Sequence, residues 1–371
     1  MIIKSLELYH IAMELKEPLT LGFGLIRKRE AVVVKVVDEK GNVGWGEVIS
    51  GEGPWYTYET IETAIHIIRD YIVPLIKGKV IDHPKTFHNI VSNIRGHNMA
   101  KAGIEMALWD LYAKELNMPL STILGGVKHR IDCGVNLEVK SNINELLREI
   151  SYYLDQGYKR VKIKIKPGWD VDIVRRVKRE YPDIPLQVDA SAAYTLSDYT
   201  VFKRLDECNL EIIEQPLHYD DLVDHALLQR LIRTPICLDE SIKSARDVKA
   251  AYRLGSCTMV NIKPGRVGGI TETLKIHDLC VAIEMPMIIG DTLETGIGRA
   301  FLVSIASLPN IKHPNEIPAS NRYYGEDIVE PPWILNKNGT INVPVKPGIG
   351  VGILESRLKK YLVKRIKLIP S

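Results

Sequence analysis

Residues 186–191 read LQVDAS, residues 211–216 read EIIEQP and residues 236–241 read ICLDES. Each is a short apolar run that closes on an acid, and the acids Asp189, Glu214 and Asp239 fall 25 residues apart. Lys164 stands 25 residues before the first acid and Lys263 stands 24 after the last. An apolar strand followed by an amphipathic helix, repeated at this period, is the βα unit of a (β/α)8 barrel, whose chemistry gathers at the C-terminal strand ends. The spacing therefore predicts five consecutive strands that deliver Lys, Asp, Glu, Asp and Lys into one mouth.

Working outward, strand-like runs alternate with helical ones from Ile131 onward: DCGVNLEV, RVKIKI, LQVDA, EIIEQ, PICLDE, TMVNIK and PMIIG. An eighth strand, near Ile311, is weaker. In the helical run SARDVKAAYRL, Ser244 and Asp247 are spaced as a capping box, with Ala245, Val248 and Tyr252 on one stripe. Before the repeats, AVVVKVV and VGWGEV flank a turn with Gly41 and Asn42 at the bend, which is a β-hairpin pattern. From Glu59 to about Leu116 the period becomes helical, most clearly at Ile104, Leu108 and Leu111. The expected architecture is α/β: a (β/α)7β TIM-like barrel over residues 131–325 and an α+β capping domain over residues 1–130. The stretch 326–371, rich in Pro and Gly, breaks the rhythm and is assigned back to the capping domain.

The chain has 371 residues, enough for a barrel and a second unit, and 45% hydrophobic with 26% charged residues is ordinary for a globular protein with a large core. Its net charge of +3 is spread among interspersed acids and bases, so nucleic acid is not an expected partner. Five widely spaced cysteines without a CxxC pair speak against a disulfide framework or a zinc site and suit a reducing cytoplasm. Charged residues interrupt the N-terminal apolar runs, and no stretch reaches the length of a membrane span, so neither export nor membrane insertion is expected.

Oxygen ligands converging from adjacent strands suit a hard divalent cation such as Mg2+, which keeps coordination positions open for water and a substrate carboxylate. The competing reading is that such acids cap the following helices or form salt bridges; three in regular register weaken it. In an eight-stranded ring the second and sixth strands lie opposite each other, so Lys164 and Lys263 are expected to address opposite faces of a substrate. A lysine desolvated near a cation has a lowered pKa and serves as a general base, while the metal stabilises the charge formed when a proton α to a carboxylate is removed. Lys162, Lys164 and Lys166 share one strand face, and the alternative for this row is a solvated edge strand.

The motifs GHNMAKAGIEMALWDL, GYKRVKIKIKPGWD, QVDASAAY, IEQPL, TPICLDES, VNIKPGRVGG and GDTLETGIGRA extend over about residues 96–300. Together they make the chain resemble the enolase superfamily, muconate-lactonising subgroup, and within it the o-succinylbenzoate synthase and N-succinylamino acid racemase branch. The resemblance implies Asp189, Glu214 and Asp239 as Mg2+ ligands, with Mn2+ able to substitute. It implies Lys164 as catalytic base, Lys162 as its electrostatic neighbour, and Lys263 as the opposing acid/base or enolate-stabilising cation. Arg266 looks like a tuner of the lysine three residues earlier, against the alternative of a surface arginine. A capping-domain lid fits residues 19–27, with Gly22, Phe23 and Gly24. Leu293 and Glu294 of GDTLETGIGRA are implied on the substrate side, as are Asn136, where the family has a small residue, and Ser191, where it often has Asn. Asp291 and Thr292 make the seventh-strand wall more polar than is usual in the family.

One proton abstraction serves two reactions in this branch: syn-dehydration to o-succinylbenzoate in menaquinone biosynthesis, and racemisation of N-acylamino acids. Dipeptide epimerase and muconate cycloisomerase are the alternatives within the subgroup; epimerases usually carry an Asp-x-Asp on strand eight, and residues 310–327 hold no such pair. A Schiff-base aldolase on Lys164 is the alternative from a different class. The resemblance further implies a small-molecule carboxylate substrate and a homo-oligomer, dimeric or octameric.

Overall fold

The protein is described by a computed structural model over residues 1–21 and 24–370, with side chains at Thr20 and Leu21 left aside. Gly22 and Phe23, expected in the lid and at the substrate, lie outside the described residues.

Strands β1 (Ile3–Leu21), β2 (Gly24–Asp38) and β3 (Val43–Val48) form an antiparallel sheet that opens the chain. The β2–β3 hairpin turns where the sequence places Gly41 and Asn42. Gly41 takes φ 86°, a conformation costly for any residue with a Cβ, and the Asp38 carboxylate accepts from Lys40 N at 2.9 Å and Asn42 N at 2.8 Å. The helix Asn98–Glu115 lies on β3 at backbone contact, because the facing positions are Gly44, Gly46 and Gly103. It is covered on both sides. Ile104, Leu108 and Leu111 join the capping core, while Ala102, Met106, Trp109 and Ala113 join the large cluster that runs into the barrel.

After β4 (Arg130–Asp132) come the barrel strands β5 (Gly134–Leu137), β6 (Arg160–Lys164), β7 (Leu186–Asp189), β8 (Ile212–Glu214), β9 (Ile236–Leu238), β10 (Met259–Ile262) and β11 (Met287–Ile289). They form one parallel sheet in sequential order. Closure differs from the expectation at Ile311: the closing residues are Asn315 and Glu316, which bridge Cys133 and Gly290 respectively. Pro314 has no N–H to donate, and the ladder starts just after it, with Asn315 N on Asp132 O at 2.8 Å. In the helix Ala245–Leu254, Ser244 Oγ and Lys243 N both reach Asp247 and Val248 is buried, but Tyr252 is exposed and Ala251 takes the inward place.

The remaining strands are β12 (Val329–Glu330), β13 (Thr340–Asn342), β14 (Gly352–Ile353) and β15 (Leu362–Ile369). β13 pairs with β4, and β15 returns to pair antiparallel with β1. Two buried carboxylates of the N-terminal region cap helices of the barrel. Glu47 accepts from Thr295 N, Thr295 Oγ1 and Gly298 N at 3.1, 2.6 and 2.8 Å, and Glu105 accepts from Thr271 N at 3.2 Å. Among the described residues no helix is long and apolar enough to cross a membrane.

A Cβ at Gly46 would stand 2.2 Å from Gly103 O, a backbone atom that cannot move aside. Gly46→Ala is expected to cost about 3 kcal/mol, the upper end for overpacking. Gly325→Ala, whose Cβ meets nothing within 4 Å, should stay within about 0.5 kcal/mol. Urea unfolding midpoints of the two variants check this.

Candidate active site

Parallel register sets Lys164, Asp189 and Glu214 in one row. Lys164 pairs with Asp189 across β6 and β7, and Asp189 pairs with Glu214 across β7 and β8. Asp239 and Lys263 stand one residue past the ends of β9 and β10. Because side chains alternate along a strand, the residues two positions earlier point into the same interior one layer down. These are Lys162, Gln187, Ile212, Cys237 and Asn261. Ile212 and Cys237 of this layer join Met259 and Ile288 in an apolar plug. The upper interior of the barrel is therefore charged and the lower interior is oily.

Each sequence-predicted acid is met by a cation. Lys164 Nζ lies 2.6 Å from Asp189 Oδ2 and 2.5 Å from Ser191 Oγ. Ser191 in turn donates to Asp189 Oδ1 from its amide at 2.8 Å and its hydroxyl at 3.0 Å. Lys162 Nζ, fully enclosed, contacts Asp189 at 3.2 Å, Glu214 at 3.0 Å and Glu316 at 2.7 Å. Lys263 Nζ lies 2.6 Å from Asp239 Oδ2, and the other oxygen of Asp239 is held by Arg266. Arg266 is 3% exposed, so the surface reading is overturned. Its remaining donors go to Ile242 O, Asn261 O and the Tyr56 hydroxyl, at 2.8, 2.7 and 2.7 Å. Tyr56 comes from the loop after β3 and places its ring 4.8 Å from Lys263 Nζ.

The electrostatics follow from burial opposed by pairing. Burial works against the Lys164 ammonium, but Asp189 and Glu138 outweigh it and its pKa stands above the ordinary lysine value. Lys263 also stands above the ordinary lysine value, with burial overcome by Tyr56 and Glu240. Glu214 is pushed up to about 8 by burial and by Glu316. Asp189 is held low, since Lys164 and Lys162 outweigh its burial. Asp291 rises to about 7 through burial and Glu294.

Among the described residues no group of three or more Asp, Glu, His or Cys side chains stands ready to hold a metal ion. The reason is visible in the contacts, since lysine and arginine already occupy the carboxylate oxygens. The donor chemistry nonetheless fits a hard divalent cation. Asp189, Glu214 and Asp239 offer only oxygens, and beside them Glu240 Oε2 is buried with no hydrogen-bond partner among the described residues. The lysine row of β6 is no edge, because β5 and β7 flank it, and only Lys166 beyond the strand is exposed.

The residues implied on the substrate side divide. Asn136 is half-buried and reaches Glu316 at 3.5 Å. Leu293 is partly buried at φ 63°, with its carbonyl bound by Tyr324. Glu294 turns its carboxylate to Thr292 N and Oγ1, at 2.6 and 2.8 Å, within its own loop. Sequence reading missed Glu316, Gln187, Asn261, Tyr56 and Gln215. Gln215 takes φ 36° and accepts from Asp239 N at 3.0 Å. Stepping back two residues from each site position would have found Gln187 and Asn261. Glu316 carries no such signal in HPNEIPAS, a run without strand alternation.

Comparison with known proteins gives the family. Residues 4–125 match the mandelate racemase / muconate lactonizing enzyme N-terminal domain, and residues 145–357 match the enolase C-terminal domain-like family. An o-succinylbenzoate synthase from Geobacillus stearothermophilus is 48% identical over 95% of this chain and 94% of its own. An N-succinylamino acid racemase from Amycolatopsis sp is 41% identical over 98% of both. A solved enolase-superfamily member from Listeria innocua superposes with a TM-score of 0.96 at 38% identity, covering 99% of each chain. The chain is an enzyme and belongs to the mandelate racemase / muconate lactonizing enzyme family of the enolase superfamily.

Proposed function

We propose that this enzyme removes the proton α to a carboxylate, and that it works as an o-succinylbenzoate synthase and as an N-succinylamino acid racemase. The observation that carries the reading is the placement of Lys164 and Lys263 on the second and sixth barrel strands, each bound at 2.6 Å to an acid of the same mouth. In this reading Lys164 is the base. It takes the α-proton onto Nζ once its contact with Asp189 relaxes and the ammonium has released its own proton to solvent, and Ser191 keeps the resulting amine oriented. Lys263, with its ammonium enclosed by Asp239 and Tyr56, stabilises the developing negative charge in the synthase reaction. In the racemase reaction it returns a proton from the opposite face. Lys162 contributes a fixed positive charge below the reacting carbon. Arg266 acts on Lys263 through their shared partner Asp239, and through Tyr56 ties the mouth to the capping loop.

Asp189, Glu214 and Asp239 would hold Mg2+, with Mn2+ able to substitute. When bound, the ion would stabilise the charge that grows on the substrate carboxylate as the α-proton leaves. Asn136 and Leu293 line the substrate side. Glu294, engaged with Thr292, shapes that loop instead. We assign residues 1–130 and 326–371 to one capping unit, and read the protein as a cytoplasmic homo-oligomer, in keeping with five buried, unbridged cysteines. Dipeptide epimerase and muconate cycloisomerase chemistry are not favoured by any contact in the mouth. Family membership speaks against the Schiff-base aldolase.

Lys164→Ala is expected to lower synthase and racemase turnover by about 10^3-fold or more, within the range for loss of a general base. Mg2+ affinity, read by calorimetry, should survive; turnover near that of the unmodified enzyme would remove Lys164 from the role of base. Chelation with EDTA should abolish both activities, and added Mg2+ or Mn2+ should restore them, as an ultraviolet assay of o-succinylbenzoate formation would report.

A further inference from the structure

Glu316 lies outside the row of acids, on the segment that closes the barrel, and is 1% exposed. Its carboxylate and that of Glu214 share three donors. Lys162 Nζ lies 2.7 Å from Glu316 and 3.0 Å from Glu214; Asn261 Nδ2 lies 3.0 Å from Glu316 and 3.1 Å from Glu214. Gln187 Nε2 lies 3.5 Å from Glu316 and also bonds Glu214. Asn136 Nδ2 adds a contact to Glu316 at 3.5 Å. On its other side Glu316 faces the guanidinium of Arg160 at 3.6 Å, a fully buried group whose three nitrogens make no hydrogen bond among the described residues. Strands β5, β6, β7 and β10 thus converge on a side chain that belongs to none of them.

Two carboxylates competing for one ammonium and two amides each receive less than a full set of donors. Without Glu316 the ammonium of Lys162 and the Asn261 amide would fall to Glu214, which Gln187 already bonds, and the positive charge of Arg160 would be left uncompensated. Both effects make the neighbourhood of Glu214 more positive. We propose that Glu316 is a positioning residue for the cation site: by sharing Lys162 and Asn261 with Glu214, it keeps part of their donor capacity off the Glu214 carboxylate, which can then serve a divalent cation. This rests on the reading of Glu214 as a metal ligand.

The test is calorimetric titration of Mg2+ into the unmodified protein and into Glu316→Gln, with Mn2+ binding followed by electron paramagnetic resonance as a second readout. Removing a buried partner of a metal ligand changes metal affinity by about 10–100-fold, and a loss of at least about tenfold is expected here. In a Lys162→Gln background the same substitution should cost about threefold or less, since the route through Lys162 is already cut. An unchanged Kd in Glu316→Gln, even with a lowered thermal midpoint, overturns the proposal and leaves the metal reading standing. An undiminished loss in the Lys162→Gln background overturns the route through Lys162. No Mg2+ binding to the unmodified protein removes both the proposal and the metal reading. If Glu316→Gln does not fold, Glu316→Asp, which keeps the charge but shortens the reach to Lys162, should show a smaller loss of the same sign, and no loss overturns the proposal.

Discussion

Lys162 sets the terms on which this barrel can exist. Its ammonium is enclosed at the centre of the sheet and touches Asp189, Glu214 and Glu316 within 3.2 Å. A charge buried this deeply is tolerated only if each of its protons finds a partner, and removing one partner costs several kcal/mol. Three protons meet three carboxylates, supplied by β7, β8 and the closing segment. A slip of one residue in any of these parallel pairings would turn the carboxylate out of the barrel and strand the charge. The row Lys164, Asp189, Glu214 is therefore fixed by electrostatics as much as by the apolar plug of Ile212, Cys237, Met259 and Ile288 beneath it.

The same principle joins the two parts of the molecule. Glu47 and Glu105 are buried acids of the N-terminal region whose partners are the N–H groups at the N-terminal ends of barrel helices. Burial raises the pKa of Glu47, against the pull of Arg29 and the hydrogen bonds of Thr295 and Gly298. The helix Asn98–Glu115, seated on β3 through glycines, carries one of these acids and is covered on both faces. Tyr56, from the loop after β3, then reaches Arg266 and stands over Lys263. The mouth is thus completed by residues from both parts of the chain, whose docking is fixed by ionic and backbone contacts in addition to packing.

Much of this was legible in the sequence because parallel strands impose two strong regularities. The 25-residue period located Lys164, Asp189 and Glu214 on neighbouring strands, and the alternation of side chains placed Lys162 on the same face. The hairpin at Gly41 and Asn42 was legible for a similar reason, since a positive φ needs glycine there. The closing segment was misplaced at Ile311 because only two isolated bridges, at Asn315 and Glu316, stand where a strand was sought. Tyr56 and Glu316 escaped because their roles depend on loops that the fold brings from distant parts of the chain.

The account turns on two lysines acting on opposite faces of one α-carbon. Proton NMR of the unmodified enzyme with Mg2+ and N-succinyl-L-phenylalanine in D2O tests this most directly. The account predicts that the α-proton signal disappears as deuterium enters, together with formation of the D enantiomer. Exchange with full retention of the L configuration would confine the chemistry to one lysine, and the absence of exchange under conditions where o-succinylbenzoate also fails to form would contradict the assignment of this mouth to α-proton abstraction.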